Sequence, residues 1–212
     1  MDELLKLIST YGLAIVISGL VLYFAIKLGN ILVDSFKHKH TAKKHDDLSE
    51  TRSRVSSVIS SMLDRIVLKT HADRAYVFEF HNGHFSMGGL PFLKMSNHYE
   101  ALGEGATSEA NRRKDMSLQL YHSFTEAIAK KDYLIMKPDD RTGEFSPLVY
   151  ETLAERGIHT TVRAKITDIH KRPIGYFGID FCKPVTDEAA RACVETVIGA
   201  AAELGALLCV NK

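Results

Sequence analysis

At 212 residues with a formal net charge of +1, the chain has room for one ordinary domain plus an extension and no charge excess to attract nucleic acid. Its three cysteines, Cys182, Cys193 and Cys209, are widely spaced and odd in number, which argues against a disulfide framework and a thiolate zinc site. The sequence has no G-x-x-x-x-G-K-[ST] phosphate loop, no H-E-x-x-H and no G-x-S-x-G, so an enzyme is not expected.

From Leu7 to Ile26 there are 20 residues without a charge. A helix of that length rises roughly 30 Å, the thickness of a bilayer's hydrocarbon core. Tyr11 and Tyr23 fall towards its ends, where amphipathic rings suit the interface. The start, Met-Asp-Glu-Leu-Leu-Lys, is not basic, and no small-x-small cleavage site follows, so a cleaved signal peptide is disfavoured. Residues 1–36 are therefore expected to be an uncleaved transmembrane anchor, continuing past Leu28 if Lys27 snorkels. Only Lys6 precedes the span, whereas Lys27, Lys37, Lys39, Lys43, Lys44, Arg52 and Arg54 follow it. That asymmetry predicts a single-pass protein of the inner (cytoplasmic) membrane with its domain in the cytoplasm. In the basic linker 37–47, Lys37, Lys39, Lys43 and Lys44 are expected at anionic headgroups, at about 1 kcal/mol each. Gly12, Ala14, Ser18 and Gly19 offer small faces through which spans associate, so a homo-oligomer through the spanning and adjacent helices is expected.

Residues 47–70 have helical periodicity. Leu48, Val55, Ile59, Met62, Ile66 and Leu68 or Lys69 lie along or near one stripe, with Val58 and Leu63 widening it. Either a short parallel coiled coil or a helix packed on its own domain fits this pattern. Arg74 to Phe80 predicts a strand ended by a turn at Asn82-Gly83, and Phe92 to Glu100 a second strand. Between them, Phe85 to Pro91 is glycine-rich and is expected to form a flap. Then follow a helix from Ser117 to Lys130, a strand from Tyr133 to Met136 and a helix from Pro147 stopped by Gly157. His159 to Thr167 predicts another strand.

The last unit opens with the turn Lys171-Arg-Pro173. Ile174 to Cys182 follows as a strand, with Tyr176, Gly178 and Asp180 on one side and Phe177, Ile179 and Phe181 on the other. Thr186 can cap a helix that carries Asp187 and Glu188 in its first turn and whose apolar face runs to Leu208. This order of polar turn, P-I-G-x-x-x-h strand, T-D-E cap and amphipathic helix resembles the end of a GAF domain. More loosely the resemblance extends back to residue 48. It implies an α+β fold: a GAF/PAS-like antiparallel sheet with flanking helices over 48–212, preceded by one N-terminal transmembrane helix. It also implies a non-catalytic binding or regulatory module, a sensor that takes a small molecule or a regulatory protein. Because Lys212 comes just after the terminal helix, signalling is expected to pass to the span, a partner or self-assembly. The overall layout is also similar to the holin of T-even phages, which implies a lysis protein that oligomerises in the membrane. A structural membrane or virion assembly component is a further alternative.

In a GAF-like fold the pocket lies between the sheet and the cross-connecting segments. The candidate ligand-binding residues are Glu79 and His81 on the first strand, Asn82 at its end, Ser96 and His98 on the second, Arg163, and Asp180. Ser96, His98 and Glu100 are expected to alternate on one face. Asp180 interrupts an apolar strand, and either a cross-strand pair with Arg163 or a ligand role accounts for it. His81, His84, His98 and Asp180 have no spacing that enforces a metal, and no cysteine falls mid-domain for a bilin, so no metal or cofactor is expected.

Overall fold

The computed structural model describes residues 2–85, 91–140 and 143–209. It divides into two compact units, Met1–Arg52 and Ser53–Lys212, and the second carries every strand. Helix α1 (Asp2–Thr70) runs through the expected linker 37–47, which contains neither Gly nor Pro to stop it. The side chains of Lys37, Lys39, Lys43, Lys44 and Leu48 lie outside the described set.

In the second unit, β1 (Arg74–Phe85), β2 (Pro91–Leu102), β3 (Met116–Ser117), β4 (Tyr133–Met136), β5 (Thr160–Thr167) and β6 (Pro173–Phe181) form one sheet. Its order is β3-β2-β1-β6-β5-β4, antiparallel throughout, so β1 and β6 lie at its centre. Helices α2 (His122–Lys130), α3 (Pro147–Glu155), α4 (Asp187–Ala192) and α5 (Val194–Cys209) complete it. Strand alternation divides the core in two. Ala75, Val77, Val162, Phe177 and Ile179 pack against Ile59 and Leu63 of α1 and Val197 and Leu204 of α5. Tyr76, Phe78 and Tyr176 face the other way, into Phe124 and Ile128 of α2 and Leu153 of α3.

The α1 stripe packs on its own sheet through Val55, Ile59, Met62, Leu63 and Ile66, joined by Val67. Val58 and Leu68 are outside it, 50% and 74% exposed, because the helical turn carries both away from the sheet. Strand β1 does not turn at Asn82-Gly83. Asn82 pairs with Leu93 and Phe85 with Pro91, and an irregularity between them absorbs the one extra residue of β1. The expected flap lies largely outside the described residues. The helix expected from Ser117 begins at His122, because Met116 and Ser117 pair with Met95 and Lys94 as an edge strand. Helix α3 ends as expected at Gly157, whose φ of 62° lets its N–H reach Ala154 O at 2.9 Å and that of Ile158 reach Leu153 O at 3.0 Å. Those two bonds make a Schellman cap. Thr186 caps α4 by accepting from the Ala189 N–H at 3.2 Å. The expected single terminal helix is interrupted at Cys193, between α4 and α5. By length and composition Asp187–Cys209 is apolar enough to cross a membrane, but Val197, Ala200, Ala201 and Leu204 are buried against the sheet.

Two glycines of the P-I-G-Y-F-G-I-D stretch are required by close approach. A Cβ on Gly175 would meet Phe78 O at 2.0 Å, and one on Gly178 would meet the Tyr76 ring at 2.7 Å. Tyr76 is fully buried and cannot retreat, so Gly178 makes the space in which its ring crosses β6. Gly178→Ala is predicted to destabilise the protein by about 1–3 kcal/mol in denaturant unfolding. Gly199→Ala, in open space within α5, is predicted to stabilise by about 0.5–1 kcal/mol.

Candidate ligand site

The sequence-predicted residues divide between the two faces of the sheet. Glu79 and His81 follow Ala75 and Val77 in alternation, on the face that carries α1 and α5, whereas Arg163 and Asp180 belong to the face of α2 and α3. Glu79 Oε1 lies 2.8 Å from His98 Nδ1 in a partly exposed pair. His81 Nε2 is 2.9 Å from Ser96 Oγ, which also accepts from the Asp115 N–H at 2.8 Å. The His81 and His98 rings stack at 6.1 Å. His98 reaches this group because it is the extra residue of a bulge: Val77 pairs with Tyr99 and Phe78 with Asn97. The bulge breaks the expected alternation of Ser96, His98 and Glu100. The side chain of Asn82 lies outside the described set. Glu79, His81 and His98, with the buried Ser96, therefore form a partly exposed cluster separate from Arg163 and Asp180. Among the described residues no group of three or more His, Cys, Asp or Glu is gathered to hold a metal.

The second group is the core of the site. Asp180 is fully buried, and its Oδ1 accepts from the Tyr76 hydroxyl at 2.8 Å. The Tyr76 oxygen in turn accepts from Arg163 Nε at 3.0 Å, and Nε also donates to Thr161 Oγ1 at 3.2 Å. The expected Asp180–Arg163 pair is thus relayed by a tyrosine, because Asp180 sits opposite Thr161 and Arg163 sits opposite Gly178. The nearest guanidiniums to Asp180 Oδ2 are Arg74, its cross-strand partner, at 3.7 Å and Arg113 at 3.8 Å. Neither distance is a hydrogen bond. Arg113 comes from the loop after β2. The Glu100 carboxylate holds that loop by accepting from Ser108 Oγ at 2.5 Å and from the N–H groups of Glu109 and Ala110 at 3.0 and 3.2 Å.

Aromatic rings enclose the cations. Arg113 lies 5.3 Å from the Tyr76 ring and 5.9 Å from Phe78. Arg163 lies 5.0 Å from Phe124, 5.5 Å from Tyr176 and 5.9 Å from Tyr76. Burial pushes the Tyr76 and Tyr176 hydroxyls above the ordinary tyrosine range, against the opposing pull of Arg163. Burial alone would disfavour charge on Arg163, but Tyr76, Tyr176 and Asp180 outweigh it and hold its pKa above the usual value. Burial, then the nearby Arg113 charge, lowers that of Arg156, which stands 3.7 Å from Glu109. Arg113, Arg156 and Arg163 border a cavity of about 20 Å³ between the sheet and α2–α3, room for about one water.

Solved structures share this fold. A far-red cyanobacteriochrome photoreceptor superposes with a TM-score of 0.53 at 13% identity, over 81% of this chain and 96% of its own. The GAF domain of PixJ from Thermosynechococcus elongatus, in its blue-light absorbing form, gives 0.52 at 10% identity, over 74% and 89%. A phycocyanobilin-bound GAF domain from a cyanobacterial phytochrome gives 0.50 at 14% identity, over 79% and 97%. The fold is that of a GAF domain. No protein-family profile matches the chain, and no curated protein does. These likenesses give no support to the resemblance to the T-even holin.

The GAF neighbours named for bilins prompt a test of fit, and the residues here do not fit one. Cys182, Cys193 and Cys209 all lie outside the lining of the cavity, whose free space is about 20 Å³, far short of a tetrapyrrole. Burial raises the Cys182 and Cys193 thiols above their ordinary pKa, which makes them poor nucleophiles.

Sequence reasoning missed Arg74, Tyr76, Arg113, Arg156 and Tyr176. Tyr76 and Tyr176 share strand faces with Phe78 and Asp180 and were legible by alternation, whereas Arg113 in an irregular loop carried no such signal. Tyr76→Phe removes the donor to a buried carboxylate and is predicted to cost about 1.5–3 kcal/mol of stability in chemical denaturation. Tyr150→Phe is its control. The Tyr150 hydroxyl is buried without a hydrogen-bond partner, so its loss is predicted to be neutral or slightly stabilising.

Proposed function

We propose that the chain is a single-pass, membrane-anchored regulatory module. Its GAF-fold unit binds a small ligand or a regulatory protein without catalysis and acts through association of its helices. The observation that carries this reading is the pairing of a GAF fold with the uncharged stretch Leu7–Ile26. Leu22, Tyr23, Phe24, Ile26 and Leu28 are all 57% exposed or more on α1, as apolar side chains are on a helix made to face lipid. An apolar helix with no protein cover is costly in water and stable in a bilayer.

The excess of basic residues after the span supports an inner-membrane orientation with the GAF-fold unit in the cytoplasm. Small residues in the span and the adjacent length of α1 supply the route to a homo-oligomer. In this reading the ligand biases how neighbouring copies associate, so occupancy of the domain changes assembly at the membrane.

Topology reporters on the C-terminus test the reading in a Gram-negative host. A fluorescent protein there is predicted to fluoresce and a periplasm-dependent phosphatase to stay inactive, with the chain resisting alkaline carbonate extraction. An active phosphatase, or release of the chain by carbonate, would contradict it.

A further inference from the structure

We propose that the arginine-lined cavity beneath α2 and α3 binds the carboxylate of a small organic acid. This deepens the ligand reading above and rests on it only in taking this face as the binding face. Arg113, Arg156 and Arg163 line the space, and among the described residues no Asp or Glu does. Arg113 is 1% exposed, yet its Nε and Nη2 have no hydrogen-bond partner. The acids nearby are already shared. Asp180 stands near Arg74 and Arg113 and reaches Arg163 through Tyr76, while Glu109 lies 3.5 Å from Arg112 and 3.7 Å from Arg156. Three buried guanidiniums, those of Arg74, Arg113 and Arg163, and the half-buried one of Arg156 thus stand against two buried carboxylates.

Ring contacts offset part of that imbalance, but uncompensated charge out of water costs more than such contacts return. An incoming anion supplies what is missing. A carboxylate is planar, and its two oxygens match the fork of a guanidinium, which a spherical ion cannot do. Phe78, Met95 and Phe124 in the same lining suit a short apolar tail. Free space of about 20 Å³ holds about one water, so even formate or acetate enters only as that water leaves and the side chains of the lining give way.

The test is thermal unfolding of the full chain in mild detergent with formate, acetate, chloride and neutral acetamide, the salts at matched ionic strength. Formate or acetate is expected to raise the midpoint saturably, with chloride and acetamide inert. Arg113→Met is expected to weaken that effect by about tenfold or more. Should that variant not fold, Arg156→Gln, at a half-buried position of the same lining, is expected to weaken it likewise. Equal stabilisation by chloride, or an undiminished effect in the folded variant, would overturn the proposal. Stabilisation by acetamide and not acetate would overturn the carboxylate while leaving a ligand-binding GAF unit intact. The topology reporters, by contrast, fail or succeed independently of any anion.

Discussion

A fully buried carboxylate set among arginines, that of Asp180, is the constraint from which the interior of this domain follows. Asp180 has no exposure at all, and a charge so placed must be compensated within a few ångströms. One of its oxygens is met by Tyr76 and the other by two guanidiniums standing off at 3.7 and 3.8 Å. Each neighbour then makes its own demand. Tyr76 needs Gly178 beneath its ring, Arg163 needs the Tyr76 oxygen and Thr161, and Arg113 needs the loop that Glu100 fastens. The result is a sheet whose two faces have different chemistry. One is an apolar seal under α1 and α5, and the other is a cationic, aromatic hollow under α2 and α3.

Magnitudes decide how to read that hollow. Ring contacts to a guanidinium are worth about 0.5–2 kcal/mol each, whereas an unpaired buried charge costs several kcal/mol. A domain built only for stability would replace such cations with apolar residues of similar volume, often at no loss. Retaining three of them around one small space makes sense where an anion is to be received. The surface pairs, Glu79 with His98 and Lys165 with Asp132 at 3.2 Å, are partly solvated and contribute about 0–1 kcal/mol apiece.

The elements legible in the sequence were those with strong local signals. The β6 strand, the Thr186 cap and the Gly157 stop each rest on a residue type with one favoured role, and each is present. The GAF resemblance drawn from that closing unit agrees with the fold. What failed was non-local. The β2 bulge at His98 cannot be read from alternation, and it brings His98 to Glu79 and His81 on the face away from Arg163 and Asp180. Asp180 and Arg163 were recognised as buried charges, but the hydroxyl between them lies 104 positions from one and 87 from the other. Arg113 was invisible because an irregular loop has no period to betray which side chain turns inward.

On the proposed ligand reading, strain in the empty form that a ligand relieves is what lets binding shift a population. Excess positive charge in the hollow supplies such strain. Denaturant unfolding of Arg113→Met and Asp180→Asn, without added carboxylates, reads the balance of charge most directly. The account predicts that Arg113→Met keeps or gains stability, because it removes a surplus cation, while Asp180→Asn loses about 3–5 kcal/mol by leaving the guanidiniums uncompensated. Equal and large losses in both variants would mean that the charges are already matched, and would contradict it.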